Sequence, residues 1–329
     1  MIEKYKYIEN EKVKKLIIEI EALKIVFNQL DTLPNVEERI RRESLLKSAV
    51  FSARVEGNKL TYKNVHLQSS DKQQKSLARM EIGNLLKVYR LINNGRIPKT
   101  LTIQFIERLH KLSMEKITDN AGKFRGAPWA IFNTAGIAIY IAPPHFDLDI
   151  LMKSFVKDIT GFKGHPLVKA AIAQFVFEKI HPFADGNGRV GRLISAYILG
   201  QNNFGFRGLV SIEEYVDENR ERYYYVLEPN KEMTRFIEFF LESIVSQATK
   251  MLNKLKEHPF ENKEDTLLPR RREILQIVKE HSFCSFDFIR GRFLSINVKT
   301  LHYDLKKLQD SGFVIKVGST RGSLYKGSE

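Results

Sequence analysis

Cysteine is almost absent from this sequence: Cys284 is the single one among 329 residues, and no Cys and His cluster has zinc-site spacing. An internal disulfide is therefore excluded, which favours a reducing compartment, and we expect Cys284 to be a small apolar core residue. No apolar run approaches the roughly 20 residues that span a bilayer. Residues 1–15 also lack the uninterrupted apolar segment of a secretory signal. These absences predict a cytoplasmic protein with no membrane partner.

The charges of the chain are unbalanced. Lys and Arg number 53 against 39 Asp and Glu, which gives a net charge of +14 and an isoelectric point near 9.6. With 43% apolar and 28% charged residues the composition is that of an ordinary soluble protein, and the length predicts two or three domains. The basic excess is typical of proteins with an anionic partner, although a solvated lysine surface explains it equally well.

Apolar residues recur at helical spacing along most of the chain, which predicts a mainly α fold. The pattern predicts helices over 11–30, 36–56, 71–94, 102–116, 147–160, 166–180, 188–200 and 231–256. The second of these helices ends at Gly57, a residue typical of helix C-terminal caps. Residues 130–144 instead alternate β-branched and aromatic residues around Asn-Thr-Ala-Gly and stop at two prolines, which predicts a β-hairpin.

The sequence changes character near its C-terminal end. Residues 258–268 are polar, charged and interrupted by proline, as is typical of a linker. Beyond them, three short helices are predicted over 269–281, 285–291 and 297–310, followed by a two-stranded ribbon with a turn near residues 320–322. Three helices and a ribbon follow the order of a winged helix-turn-helix domain.

Residues 181–192 read HPFADGNGRVGR, an unusually dense run of chemically capable side chains. A helix is predicted to begin after Gly188, so Gly186, Asn187 and Gly188 lie where free backbone N–H groups and the helix dipole favour an anion. Arg189 and Arg192 lie three residues apart on one helix face, and guanidinium groups suit phosphate oxygens. The pattern therefore indicates a phosphate site.

Two further residues of the same stretch supply what chemistry on a phosphate needs. Asp185 can hold Mg²⁺ together with substrate phosphates, and His181 can take a proton from a hydroxyl nucleophile. Taken one by one, each residue has an ordinary explanation as part of a polar loop, a turn or a solvent-facing surface. Taken together, they predict phosphate chemistry on a nucleotide.

HPFADGNGRVGR resembles the Fic-domain motif HxFx(D/E)GN(G/K)RxxR at every fixed position. The resemblance covers roughly residues 36–245: GKFRG at 122–126 and the hairpin after it are similar to the stretch before and through the family's target-docking flap, and RERYYYVLE resembles the Tyr-Tyr segment that borders the adenine pocket. It implies a Fic-type helical fold. Its expected parts are an N-terminal helical region 1–100 with an inhibitory helix at about 36–57, a catalytic core 101–257 with a flap at 130–144, the linker 258–268 and the winged helix-turn-helix domain 269–329.

The resemblance also implies an activity. A protein adenylyltransferase would move AMP from ATP, with Mg²⁺, to a Ser, Thr or Tyr hydroxyl of a target protein and release pyrophosphate. His181 would be the general base, Asp185 the magnesium ligand and Phe183 the anchor of the loop in the core. The nucleotide would be bound by Gly186, Asn187, Gly188, Arg189, Arg192 and Tyr224. Gly188, where the phosphotransferase Doc branch carries Lys, favours AMP transfer over phosphorylation.

SARVEGN, at residues 52–58, places Ser52 and Glu56 on one face of a helix. An exposed glutamate is the ordinary explanation. Beside the Fic motif, however, the stretch resembles the family's inhibitory sequence (S/T)xxxE(G/N), whose fixed positions here are Ser52, Glu56 and Gly57. The resemblance implies that Glu56 pairs with Arg192 and so prevents that arginine from holding the γ-phosphate.

Several alternatives stay open. The chain can be a DNA-binding regulator whose Fic body senses nucleotide, although an intact His181 and Asp185 are more than a sensor needs. It can also use another donor such as UTP, or remove AMP from a target with Glu56 positioning water. Modification of the chain itself and a homodimer are open as well.

Residues 269–329 carry 12 basic and six acidic residues. If this segment binds DNA, the third helix would offer Lys299, Thr300 and His302 to a major groove, with Lys316 and Arg321 on the wing. Winged helices also dock proteins or dimerise, so the charge alone does not decide between DNA and protein.

Overall fold

The computed structural model describes residues 6–30, 32, 34–65, 74–132, 138–228, 232–257, 264, 267–281, 283–293, 296–318 and 323–328. The chain divides into two compact units, Met1–Thr32 with Glu37–Leu255 and Leu33–Val36 with Lys256–Glu329. Among the described residues, no helix combines the length and apolar character that crossing a membrane requires.

The larger unit is built from helices. They are α1 (Glu11–Gln29), α2 (Pro34–Val55), α3 (Tyr62–Val65), α4 (Gln74–Asn93), α5 (Ile103–Ser113), α6 (Leu148–Gly161), α7 (Pro166–Ile180), α8 (Asn187–Gln201), α9 (Ile212–Glu218), α10 (Arg220–Val226) and α11 (Thr234–Glu257). The predicted mainly α fold is confirmed. The helical pattern did not predict α3, α9 and α10, since elements of four or seven residues are too short to show a helical period.

The predicted hairpin is formed by β1 (Ala130–Phe132) and β2 (Ala138–Ile141), which pair antiparallel. Ala130 lies opposite Ile141 and Ile131 lies opposite Tyr140. The Asn-Thr-Ala-Gly turn predicted between the strands falls on residues 133–137, outside the described part of the chain.

Helix α7 lies at the centre of the larger unit because its sequence, PLVKAAIAQFVFEKI, is apolar on nearly every side. Phe175 and Phe177 are fully buried, and each such side chain contributes about 1.5–3 kcal/mol of transfer free energy. Helix α8 packs closely on α7 at Gly191, where an added Cβ would lie 3.1 Å from Glu178 Oε1. The loop between these two packed helices, residues 181–186, is therefore held at both of its ends.

The smaller unit contains α12 (Pro269–Glu280), β3 (Cys284–Ser285), α13 (Phe286–Arg290), α14 (Val298–Asp310), β4 (Val314–Val317) and β5 (Leu324–Gly327). The three strands form one antiparallel sheet in the order β3-β5-β4. Cys284 belongs to its apolar core, as expected. Strand β3 was not predicted, because two residues carry no periodicity. The predicted turn near 320–322 lies outside the described residues.

A buried ion pair joins two helices of the smaller unit. Asp304 on α14 is 1% exposed and accepts hydrogen bonds from Arg270 Nε at 2.5 Å and from Arg271 Nε at 2.8 Å, both on α12. Two charge-assisted bonds meet the requirement of a buried carboxylate for partners. They also fix where two arginines of α12 present their remaining N–H groups.

Candidate functional site

A cavity of about 910 Å³ opens beside the loop between α7 and α8. Residues 184–188 form one wall together with His181, and the side chains of Glu56, Trp129 and Tyr224 face the same space. The volume lies in the range of small-molecule and cofactor sites. The hairpin contributes Tyr140, so helices, loop and strand all meet at this cavity.

His181 caps the C-terminal end of α7 in a left-handed conformation, with φ of 48°. Its backbone N–H donates to the carbonyl of Phe177 at 3.0 Å, and its ring stacks on Trp129 with centroids 3.6 Å apart. Burial lowers the pKa of His181 to about 4, although a hydrogen bond to the backbone of Glu178 opposes the shift. The imidazole is therefore neutral at pH 7 and able to accept a proton.

Arg125 ties the loop to the hairpin. Its side chain donates to three carbonyl oxygens, those of His181 at 2.8 Å, Ala127 at 2.9 Å and Pro143 at 2.5 Å. These bonds connect the residue of the candidate base to both ends of the hairpin. Sequence reasoning noted the GKFRG segment but assigned no role to this arginine.

Phe183 is fully buried and stacks on His110, with centroids 3.7 Å apart and planes 2° from parallel. The side chain of Asn187 turns back onto the same residue: its Oδ1 accepts from the N–H of Phe183 at 2.9 Å and its Nδ2 donates to the carbonyl at 2.8 Å. Phe183 thus lies in the core, as the resemblance implied. The side chain of Asn187 thus closes the loop, while the backbone of Asn187 forms the start of α8.

His110, on α5, forms hydrogen bonds with its ring to the loop and to Gly122. Its Nδ1 accepts the N–H of Gly122 at 2.7 Å, so the proton must be on Nε2, which lies 3.0 Å from the carbonyl of Asp185 and donates to it. Burial lowers its pKa to about 4, which keeps this tautomer neutral. No sequence motif marked His110, and only the fold brings it under the loop.

Two glycines, Gly186 in the loop and Gly188 in the first turn of α8, allow other groups to approach the backbone closely. Gly186 has φ of 81°, and a Cβ there would lie 2.9 Å from Met114 Sδ. At Gly188 a Cβ would overlap the carboxylate of Glu56. The start of α8 is therefore bare backbone, and the carboxylate of Glu56 lies directly against it, where the helix dipole favours negative charge.

Arg192 is engaged on several sides by α2. Its Nη2 donates to Glu56 Oε1 and to the carbonyl of Ser52, both at 2.9 Å, and its Nε donates to Ser52 Oγ at 3.0 Å. Its Nη1 lies 3.5 Å from the hydroxyl of Tyr223, which is buried. The side chain of Arg192 is only 3% exposed. The structure thus brings Ser52, Glu56 and Arg192 together, and adds Tyr223, which sequence reasoning missed.

Arg189 binds two carboxylates of the protein. Its Nη1 lies 2.5 Å from Glu81 Oε1 on α4, and its Nη2 lies 2.7 Å from Asp185 Oδ1. Glu81 carried no signal in the sequence, because an isolated acidic residue on a helix is ordinarily solvated. In this arrangement Arg189 orients Asp185.

Asp185 has the chemistry of a ligand for a hard cation. Its side chain is 62% exposed, and its Oδ1 accepts from Arg189 and from the N–H of Gly186, at 2.6 Å. Among the described residues, no group of three or more His, Cys, Asp or Glu gathers as a metal site. A divalent cation would fit here only if phosphate oxygens completed its coordination, which is the usual arrangement for Mg²⁺.

Tyr224 forms part of the cavity wall and is 44% exposed. Its hydroxyl donates to the carbonyl of Val55, the last residue of α2, at 2.8 Å. The neighbouring Gly57 has φ of 100°, which suits the end of a helix. Tyr224 therefore connects the wall of the cavity to the helix that carries Glu56.

In the smaller unit, Lys299, His302 and Lys316 are exposed and Thr300 is half-buried. His302 stacks on Phe286, with centroids 3.9 Å apart, so its ring is engaged by the protein. Arg321 lies outside the described residues. The exposed face of α14 also includes Tyr303 and Lys306, which sequence reasoning did not name.

Part of this chain is similar to known proteins. Residues 100–199 match the model of the Fic/DOC family. The protein adenylyltransferase Fic of Drosophila melanogaster is 28% identical over 170 residues, which cover 49% of this chain and 33% of that protein. A probable protein adenylyltransferase of Aquifex aeolicus is 38% identical over 88 residues, 26% of this chain and 27% of that protein. The aligned part of the chain thus spans only about a third of these relatives or less.

Solved structures are similar in fold. A Fic family protein from Desulfovibrio desulfuricans superposes with a TM-score of 0.68 at 21% identity, over 97% of this chain and 96% of that one. Fic-1 from C. elegans gives a TM-score of 0.63 at 19% identity, over 74% of this chain and 73% of that one. Family match, sequence relatives and fold lead to one conclusion: residues 100–199 of this chain form a Fic/DOC domain.

Proposed function

We propose that this protein is an adenylyltransferase that moves AMP from ATP to a Ser, Thr or Tyr hydroxyl of a target protein. One observation carries the proposal: a neutral imidazole, His181, and the bare N-terminal backbone of α8 at Gly188 face one cavity of about 910 Å³. A base and an anion site on the same cavity are what transfer of a nucleotide to a hydroxyl needs. The names of the relatives, protein adenylyltransferases, support the same activity.

The proposed reaction uses these groups in sequence. His181 takes the proton of the hydroxyl while the hydroxyl oxygen bonds to the α-phosphorus and the bond from that phosphorus to the bridging oxygen breaks. Pyrophosphate leaves, and AMP remains on the target. The N–H groups at the start of α8 bind the phosphates, since positioning and charge stabilisation supply most of the catalysis in phosphoryl transfer.

Mg²⁺ would be held by Asp185 together with the α- and β-phosphates and would, when bound, neutralise part of their charge. The protein prepares this residue for such a role: Arg189 and the N–H of Gly186 both bind Oδ1, which sets the direction of the carboxylate. Removal of Mg²⁺ by a chelator should stop AMP transfer.

We also propose that the chain is autoinhibited in the state described. The N–H groups of Arg192 that would hold the γ-phosphate donate to Glu56 and Ser52, and Glu56 fills the space in front of Gly188. ATP that enters while Glu56 is in place must then bind without Arg192. The same carboxylate is close enough to the anion site to polarise a water molecule, so removal of AMP from a modified target is the second reaction to test.

Incubation of the purified protein with Mg²⁺ and ATP labelled at either the α- or the γ-phosphate tests the proposal. We expect label on the protein itself, or on an added target, from α-labelled ATP only, and none with His181→Ala. Label from the γ-position would instead indicate a kinase. Unlabelled UTP as a competitor measures base selectivity. Label that persists in His181→Ala would contradict the assigned base.

Nucleic-acid binding by the smaller unit is a second candidate function, supported by one face of α14. Lys299, Tyr303 and Lys306 are exposed along that face, and the guanidinium of Arg271 lies 5.5 Å from the ring of Tyr303. Basic side chains around an aromatic ring suit a phosphate backbone.

Binding of the full-length chain to duplex DNA at increasing salt concentration tests this candidate. We expect affinity to fall steeply with salt, and the double variant Lys299→Glu, Lys306→Glu to lose most of it. The matched control is Lys14→Glu, an exposed lysine on α1. Binding that is absent or insensitive to salt would favour a protein-docking or homodimer role, which sedimentation of the same sample reports.

A further inference from the structure

Glu178 lies on α7, one turn before the loop, and its side chain lines the cavity. Its Oε1 is buried and has, within the described part of the chain, no hydrogen-bond partner. The same atom would lie 3.1 Å from a Cβ at Gly191, which places the carboxyl group beside the first turns of α8. Glu178 is therefore an unsatisfied polar group at the end of the cavity where the proposed phosphates bind.

A carboxylate with one buried oxygen that lacks a partner is costly, because desolvation disfavours the charged form. Burial, followed by repulsion from Glu56, raises the pKa of Glu178 to about 8, although Arg192 and Lys179 oppose the shift. At pH 7 the group is thus a carboxylic acid with one O–H to donate. The titratable and charged groups around it are Glu56 from α2, Arg192 from α8, Tyr223 from α10, and Lys179 and His181 from its own end of α7.

We propose that Glu178 is a nucleotide-binding residue whose carboxyl group, in its acid form, donates a hydrogen bond to an anionic oxygen of the bound nucleotide. This inference rests on the proposed adenylyltransferase function. The backbone of Gly188 lines the same cavity, and the buried guanidinium of Arg192 lies near Glu178 behind Glu56. Both are donors suited to the same anion. An ionised carboxylate among them would repel the phosphates, whereas a protonated one adds a donor.

A donor role for Glu178 makes nucleotide binding depend on pH, which a purely structural role would not do. Since only the acid form donates, nucleotide affinity must fall as Glu178 loses its proton, at pH values above about 8. Glutamine at this position has nearly the same size, keeps a donor and does not titrate. Methionine has a similar size and offers no donor at all.

The test measures binding of α,β-methylene-ATP with Mg²⁺ by calorimetry at pH 7 and pH 9, in a Glu56→Gly parent and in the same protein with Glu178→Gln. We expect the Kd of the parent to rise at least about tenfold between the two pH values. Each pH unit above the pKa of the free group costs about a factor of ten, and Glu56→Gly removes a carboxylate that helps to raise the pKa of Glu178. In Glu178→Gln the rise should stay within about threefold. Burial also lowers the pKa of Lys179 to about 8, but Lys179 titrates in both proteins, so the difference between them reports Glu178.

Glu178→Met supplies a second, independent measurement. At pH 7 it should bind the analogue about tenfold more weakly than Glu178→Gln, the usual cost of losing one hydrogen bond to a charged group. Equal pH dependence in parent and Glu178→Gln, or equal affinity of the Met and Gln variants at pH 7, would overturn the role of Glu178 alone. A parent that neither binds the analogue nor transfers AMP would overturn the proposed function and this inference with it.

Discussion

The carboxylate of Glu56 lies against Gly188, so closely that a side chain at residue 188 would overlap it. The same carboxylate lies 2.9 Å from Arg192 Nη2. The glycine at the start of α8 therefore has two effects: it leaves the backbone N–H groups open to an anion, and it leaves room for Glu56. Any larger residue at 188 must displace Glu56 from this position.

Replacing Glu56 by glycine should raise AMP transfer about ten- to hundredfold. The variant frees a guanidinium N–H of Arg192 and the space at Gly188, and a hydrogen bond to a charged group is worth about 1.5–3 kcal/mol. The measurement is the initial rate of label transfer from α-labelled ATP. Glu38→Ala, which removes only exposed ion pairs to Arg41 and Arg42 on the same helix, is the matched control. Equal rates for the wild type and Glu56→Gly would rule out the inhibitory role.

Ser52→Ala should destabilise the protein and release the inhibition only in part. The substitution leaves the buried Nε of Arg192 without its acceptor, which costs about 1–3 kcal/mol of unfolding free energy. Glu56 and the carbonyl of Ser52 still hold Nη2, so AMP transfer should rise less than in Glu56→Gly.

Urea denaturation and the label assay measure the two effects of Ser52→Ala. The control is Ser243→Ala, a fully buried serine whose hydroxyl donates to the carbonyl of Phe240 in its own helix. If both serine variants lose the same unfolding free energy, the hydrogen bond from Arg192 to Ser52 contributes no more to stability than the bond within a single helix at Ser243.

Asn187→Ala should lower both stability and activity, because the side chain of Asn187 makes two hydrogen bonds to the backbone of Phe183. Losing both should cost about 2–3 kcal/mol of unfolding free energy. The loosened loop should reduce AMP transfer at least tenfold. Asn187→Asp keeps the acceptor for the N–H of Phe183 but turns an oxygen toward the carbonyl of Phe183. Its stability and activity should therefore lie between those of the wild type and Asn187→Ala. An active Asn187→Ala would show that α8 alone positions the loop.

The stability of the fold should decrease as the pH falls from about 6.5 to about 4. Burial lowers the pKa of His181 and of His110 to about 4 in the folded protein, whereas an unfolded histidine titrates near 6.5. Between these values the unfolded chain binds more protons, so the unfolding free energy declines with acidity and is fully regained above about pH 6.5.

Imidazole NMR signals and urea denaturation at several pH values check this. His181→Asn removes one of the two groups while tolerating the left-handed backbone, so it should reduce the pH dependence and abolish AMP transfer. A His181 signal that titrates near pH 6.5 would contradict the buried, neutral base.

Much of the fold could be predicted from the sequence because its long helices have a clear apolar period. Helices α1, α7 and α14 begin and end within one or two residues of the predicted limits. Helices α9 and α10, of seven residues each, and strand β3, of two, fall below the length at which a pattern is visible.

The candidate site was predictable only where its residues are adjacent in the chain. Residues 181–192 carry their chemistry in one motif, so the loop and the start of α8 could be located. His110, Arg125 and Glu81 act on that loop from other elements. Single residues far apart in sequence give no pattern, and their roles follow from tertiary contacts alone.

The hydrogen bond from Tyr224 to the carbonyl of Val55 connects the cavity wall that would hold the nucleobase to the helix that carries Glu56. If the last turn of α2 withdraws with Glu56, this bond breaks, and the tyrosine ring becomes free to adjust to a nucleobase. Coupling between two sites is reciprocal, so a base that repositions the ring must in turn favour departure of the last turn. Binding of a nucleotide would then help to release Arg192 from Glu56, and Arg192 is the arginine that the terminal phosphate of that nucleotide requires.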